Sequence, residues 1–238
     1  NTRNTYCGMC FECVKSCSYD NMVVNLRPPG TDILVDEKRR LDESWKAFLM
    51  LGIAIDYYII LQGPWGFLKD AANAKTLSGY LGFILGHTLF TFAAIPAIYF
   101  VFAFLSKLLS RAKEVPLKKV FINFSYTLIP MGLAAWIAFS LGILFPNGSY
   151  VLHVMSDPFA WGWNLLGTRN FPWTPFLTGL VPPLQIATIF LGLAFSIDYG
   201  IKLSKQTYPA NPAYVRGFMP ILAFLVLTTA ALFWVFLG

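Results

Sequence analysis

Four cysteines stand at Cys7, Cys10, Cys13 and Cys17, and the chain has no others. They follow the spacing C-x2-C-x2-C-x3-C within eleven consecutive positions. A short coil with a thiolate at every third residue wraps several corners of one metal cluster, and this is the spacing of a bacterial ferredoxin loop holding a [4Fe-4S] cube. In two-cluster ferredoxins the fourth thiolate serves the neighbouring cluster, so Cys17 is the residue that a second cluster would share. Two disulfides would need an oxidising compartment, and positions this close suit bridges poorly. A four-cysteine zinc site usually sets its two pairs further apart. The expectation is therefore iron bound by Cys7, Cys10, Cys13 and Cys17, as one [4Fe-4S] cluster with a second one open.

Three other residues carry chemistry. His87 and His153 are the only histidines, and Asp56 is an acid inside an apolar run, flanked by Tyr57 and Tyr58. The two histidines fit axial ligation of a haem b or proton exchange with a quinone. Equally, His87 fits a bond to a neighbouring helix, and His153 a role within its loop. An ionisable side chain in an apolar helix is costly and is a functional candidate for that reason. Asp56 fits proton uptake near a reduced ring, and also a plain bond to another helix. Asp198 reads as a helix-end, interfacial residue. The sequence shows no Ser-His-Asp set, phosphate-binding glycine loop or His-rich metal site, and so nothing that points to hydrolysis or phosphoryl transfer.

The elements that must position these residues are mostly apolar. Of 238 residues 56% are hydrophobic and 13% charged, about half the charged share of a soluble domain. The reading is an all-α membrane protein of about five transmembrane helices, with a small N-terminal ferredoxin-type head. The net charge is +6, but the cations sit at the ends of apolar segments, which indicates orientation and not a nucleic-acid partner. The head is assigned to 1–44 and the helical domain to 45–238. Because the chain starts at Asn1 and its first cysteine follows closely, further residues are expected upstream, and a second motif, if carried there, would share Cys17.

Within the head, residues 19–26 read as a short apolar strand over the cluster, 27–32 as a turn, and 36–43 as a charged, solvated helix start. The spans are expected at about Trp45 to Gln62, Ser78 to Leu105, Val120 to Phe145, Leu180 to Ile197 and Phe218 to Leu237, each near the ~20 residues a bilayer requires. Pro96 and Pro130 are candidate kinks. Lys38, Arg39 and Arg40, then Lys107, Arg111, Lys113, Lys118 and Lys119, then Lys202, Lys205 and Arg216 fall on one side. Lys69, Lys75 and Arg169 fall on the other. The positive-inside rule puts the head in the cytoplasm and the C-terminus outside, as expected for the inner (cytoplasmic) membrane of a prokaryote. Thiolates suit that reducing side. The loop 146–179 is too apolar for free solvent and too rich in Gly and Pro for a span. It is expected to lie along the outer interface with its tryptophans at headgroup depth, or to dock another subunit.

Taken together, Cys7 to Cys17, Asn25-Leu26-Arg27-Pro28, Ser125-Tyr126-Thr127-Leu128-Ile129-Pro130-Met131-Gly132-Leu133 and Ser156-Asp157-Pro158-Phe159-Ala160-Trp161-Gly162-Trp163 resemble the membrane-bound polyferredoxins, the NapH/NosR/CcoG-type 4Fe-4S membrane proteins. The chain departs from that pattern in two places: Ser18 stands where cluster motifs carry Pro, and one motif is present where the family has two. The resemblance implies [4Fe-4S] clusters on the cytoplasmic face. It also implies electron exchange with quinones or partner redox subunits, either cytochromes or iron-sulfur proteins. The expected function is a non-catalytic electron-transfer subunit of a respiratory membrane complex, relaying electrons between a quinone pool or a cytoplasmic donor and partner redox subunits. The alternative is a membrane anchor or an assembly and maturation factor, although metal delivery would call for more exposed ligands than Met155 in the outer loop. A transporter would need polar residues facing one another in the bundle, and the spans look almost devoid of them.

Overall fold

The structure is a computed structural model that describes residues 10–19, 30–35, 39–61, 70, 76–209 and 212–237. The chain divides into two units, Asn1–Arg40 and Leu41–Gly238. All regular structure among the described residues is helical.

In the first unit a one-turn helix, α1 (Glu12–Lys15), follows Phe11, whose backbone is left-handed at φ 59. Lys15 closes the turn on Glu12 at 3.0 Å. Gly30 is in a turn at φ 77, and α2 (Thr31–Val35) follows it directly, so residues 31 and 32 of the expected turn are helical while 27–29 lie outside the described residues. Arg39 donates from Nη2 to the Ile33 carbonyl at 3.2 Å. The expected strand, apart from Tyr19, lies outside the described residues.

The second unit opens with α3 (Leu41–Leu61), four residues earlier than the boundary read from the sequence. Asp42 and Glu43 occupy its first turn, where acids complement the positive end of the helix dipole. The charged run therefore starts the span as well as preceding it. The second span is α4 (Leu77–Leu89), a π-helical stretch Phe90–Ala94, and α5 (Ile95–Ser110). Next come α6 (Leu117–Ser125), α7 (Leu128–Asn147) and the short α8 (Tyr150–Ser156). A 3-10 turn Thr178–Leu180, α9 (Val181–Thr207) and α10 (Ala213–Leu237) complete the chain. Five stretches are long and apolar enough to cross a membrane: Leu41–Leu61, Leu77–Ser110, Leu117–Asn147, Thr178–Thr207 and Ala213–Leu237. Most overrun the expected ends because the helices continue past the apolar run into polar residues. Asp198 is accordingly inside α9, not at its end, and pairs with Lys202 at 2.5 Å.

Both candidate kinks have a physical cause. Proline lacks an N–H and its ring collides with the carbonyl four residues back. Ahead of Pro96 the helix widens into the π stretch, one of the known ways a helix absorbs such a defect. Ahead of Pro130 the third span breaks at Tyr126 and Thr127 into α6 and α7, where a single helix was expected. Irregular backbone at membrane depth is tolerated only when it is enclosed by protein, and Phe124, Ser125 and Thr127 are all fully buried.

Packing joins α9 to α7 and α10, α10 to α5, and α3 to α7. Glycines allow the closest approaches: a Cβ at Gly192 would stand 2.4 Å from that of Ala134, and one at Gly200 2.3 Å from the Phe218 ring. Small residues at such crossings are how helices pack without a hydrophobic drive in lipid. Tyr99, fully buried, sits edge-on to Phe48, Phe121 and Phe224 at 5.1, 5.2 and 5.3 Å, and its hydroxyl donates to the Phe121 carbonyl at 3.1 Å. Large apolar side chains such as Phe100, Phe104, Leu133, Phe190, Leu227 and Trp234 stand exposed on the outside of the spans. That surface suits lipid and would be a liability in water.

At the end of the bundle where α3 begins, polar side chains face one another, contrary to the expectation. Tyr126 donates to Glu43. Asn123 donates to Thr207 at 2.9 Å, and Ser106 and Tyr208 share a hydrogen bond at 3.2 Å. Burial pushes the Tyr208 hydroxyl up from its ordinary pKa, against the opposing pull of Ser106 and Ser110.

Candidate functional site

Asp56 and His87 meet on the flank of α3, where α4, none of whose residues is buried, runs past it. The reason lies one helical turn away, at Gly52, where α3 runs against the π stretch. A Cβ at Gly52 would already stand 3.0 Å from Thr91 Cγ2 and 3.1 Å from Ile95 Cδ1. With the two backbones that close, residues four positions on along α3 and four positions back along the second span face each other. Asp56 Oδ2 lies 2.6 Å from His87 Nδ1 and accepts a hydrogen bond from Thr91 Oγ1 at 3.3 Å. The His87 contact approaches off the axis of a ring N–H, so Nδ1 is buried without a hydrogen bond of ordinary geometry. Phe83 stacks on the imidazole, with ring centroids 6.2 Å apart. The Asp56 side chain is 15% exposed and that of His87 33%, whereas Thr91 is fully buried.

A cavity of about 500 Å³ opens beside the pair. Its walls are Ile59, Ile60, Phe83 and Phe90, and Gly79, Gly82 and Gly86 of α4 form a smooth side. Among the described residues, no atom beyond the chain neighbours and the helix's own backbone lies within 4 Å of a Cβ placed at Gly82 or Gly86, so these glycines leave space instead of filling it. An apolar chamber with a few convergent polar groups is the usual form of a small-molecule site. This one sets an acid and an imidazole against apolar and glycine walls.

His153 is on the exposed α8. Its side chain makes no hydrogen bond, ion pair or ring contact with the other described residues. The structure thus brings His87 and Thr91 to Asp56, and does not bring His153 to any of them. Thr91 carries no signal in the sequence beyond its i+4 spacing from His87.

Of the cysteines, Cys10 and Cys13 are exposed, Cys17 is half-buried, and none of the three is in a disulfide. Cys7 lies outside the described residues. The left-handed Phe11 turns the chain between Cys10 and the α1 turn that carries Cys13. Unbridged thiols are the donors an iron-sulfur cluster requires, so the donor chemistry fits. Among the described residues, however, no three His, Cys, Asp or Glu side chains gather as a metal-holding group. Compared with protein-family models, curated proteins and solved structures, the chain matches none.

The loop 146–179 is ordered by its own polar bonds. Asp157 accepts from the N–H groups of Trp161 at 2.9 Å and Gly162 at 2.8 Å. Arg169 Nη1 reaches back to the Gly162 carbonyl at 2.6 Å. Phe159, Trp161 and Trp163 form one aromatic group, with centroids 4.9 to 5.8 Å apart. Partial desolvation acts on Asp157 in the upward direction, yet the N–H groups of Gly162, Trp161 and Trp163 and the Arg169 charge together hold its carboxyl below the ordinary 3.8.

Proposed function

We propose that this chain is an electron-transfer subunit of a respiratory membrane complex, similar to the membrane-bound polyferredoxins. Its cysteine head would hold a [4Fe-4S] cluster on the cytoplasmic side of a prokaryotic inner membrane. Partner cytochromes or iron-sulfur proteins would complete the electron path. The observation that carries the redox reading is the cluster spacing of the four cysteines, supported by Cys10 and Cys13 standing as exposed free thiols. A bound cluster takes up and releases single electrons; Cys7, Cys10, Cys13 and Cys17 would hold it.

Asp56 and His87 extend the reading to a quinone. Oxidising a quinol to a quinone releases two protons with its two electrons, and a carboxylate and an imidazole side by side at an apolar groove can accept them. Thr91 holds the carboxylate in place, and the glycine face of α4 leaves room for the ring.

Anaerobically purified protein reduced with dithionite is expected to give a [4Fe-4S] paramagnetic resonance signal, with matching iron and sulfide, that Cys10→Ser removes or alters. Protein without iron or sulfide would end this proposal and leave the anchor or assembly role. Asp56→Asn is expected to slow quinol-dependent reduction of the chain at least tenfold, on the usual scale for losing a general base, without changing the cluster signal.

A further inference from the structure

A second cavity, of about 480 Å³, lies at the end of the bundle where α3 begins, between the C-terminal turn of α5 and the start of α6. Lys107, Arg111 and Lys113 line it, over an apolar floor of Phe104, Leu108 and Leu117. None of the three cations forms an ion pair among the described residues. Glu114, the acid in the same loop, pairs with none of them.

Arg111 is held at φ 55, in the left-handed C-cap conformation that glycine usually takes. A side chain there costs on the order of 1 kcal/mol, so this position keeps its arginine against the preference of the backbone. Anion binding at a helix C-terminus would normally be opposed by the dipole. Here Ser110 Oγ donates to the Lys107 carbonyl at 2.8 Å and the Arg111 N–H to the Leu108 carbonyl at 3.3 Å, which quiets that end. The start of α6 adds to the attraction. Lys119 and Val120 bond the Pro116 carbonyl, while the N–H groups of Leu117 and Lys118 have no acceptor within the helix. Phe104 and Leu108 are largely exposed and run from the cavity along the lipid-facing side of α5.

Cations above a strip of apolar surface match a phosphate with an acyl chain below it. We propose that this cavity binds an anionic phospholipid by its headgroup phosphate, with Lys107, Arg111 and Lys113 around the phosphate and a chain along Phe104 and Leu108. Basic pockets between spans on the cation-rich side are recognised lipid headgroup sites. The site is independent of the redox reading.

The full chain in mild detergent is mixed with phosphatidylglycerol or phosphatidylcholine of equal chain length, and retained lipid is counted by native mass spectrometry. Inorganic phosphate is the third arm. Phosphatidylglycerol is expected to be retained in preference. Lys107→Gln, Arg111→Gln and Lys113→Gln together should weaken it on the order of 100-fold, about fivefold per charge. Arg111→Gly is the control for folding, since glycine eases the backbone there. It should keep the melting temperature and still lose about fivefold. Equal retention of both lipids, or undiminished binding by Arg111→Gly and by the triple variant, would overturn the proposal. Displacement of the lipid by millimolar phosphate would overturn it as well and assign the cavity to a free anion.

Discussion

A carboxylate inside an apolar helix is tolerated when another polar group stands beside it, and Asp56 has both Thr91 and His87. That arrangement depends on the missing side chain of Gly52. Leucine at position 52 would press on Thr91 and Ile95, which already stand 3.0 to 3.2 Å from a bare Cβ. Gly52→Leu is expected to cost about 1–3 kcal/mol by overpacking and to part Asp56 from His87, so quinol-dependent reduction falls while the cysteine head is untouched. Unchanged activity in a folded Gly52→Leu protein would show that the contact does not serve the reaction.

The outer loop gives a residue-scale test of its own. Because the Asp157 carboxyl is held below 3.8 in the fold, its stabilising contribution is present above that value and lost as pH falls through the lower, folded one. Tryptophan emission from the Phe159, Trp161 and Trp163 group is expected to hold steady from neutral pH down to that range and to change below it. Asp157→Asn should show the altered emission already at neutral pH. A transition centred near neutrality in the wild type would contradict the hydrogen-bond account.

At the scale of elements, two prolines decide where helices stop being regular. The π stretch before Pro96 carries Thr91, and the break before Pro130 carries Tyr126. Each defect therefore places a polar side chain where a regular helix would have aimed it elsewhere. The break also frees α6 from the axis of α7. At 20 residues α7 is itself about 30 Å long, enough for the apolar core of a bilayer. α6 is left to pack against α3, α5 and α9, and the Asn123–Thr207 bond ties it to α9. A double-mutant cycle of Asn123→Ala and Thr207→Val is expected to give a coupling of about 0.6 kcal/mol, the average for such bonds between membrane helices, and no more than about 1.7. Strict additivity would mean that the bond contributes nothing to stability.

Across the whole molecule, the distribution of cations and the apolar outer surface together predict a direction of insertion. With the head inside, the loop 146–179 faces outward and the loop after α5 faces inward. A maleimide that cannot cross membranes is expected to label Asn170→Cys in intact spheroplasts and to leave Lys113→Cys unlabelled until the membrane is opened. The reverse pattern would invert the orientation and place the cysteine head on the oxidising side. Both positions are exposed, so access and not burial determines the result.

The spans were legible from the sequence because hydropathy over about 20 residues is a local property, set by the cost of placing polar backbone in lipid. Pro96 and Pro130 were legible as defects for an equally local reason, a missing N–H and a ring clash. Asp56 and His87 could each be singled out as costly residues in an apolar run. That they meet each other, with Thr91, could not be read, because it depends on Gly52 admitting a neighbouring helix thirty-nine positions further along the chain, at Thr91. For the same reason Glu43 read as a solvated helix start, while the fold turns it to Tyr126. Composition and local pattern therefore determined the membrane class and the candidate residues. Tertiary packing alone decided which of them share a site, since contact between helices depends on side-chain shape at distant positions.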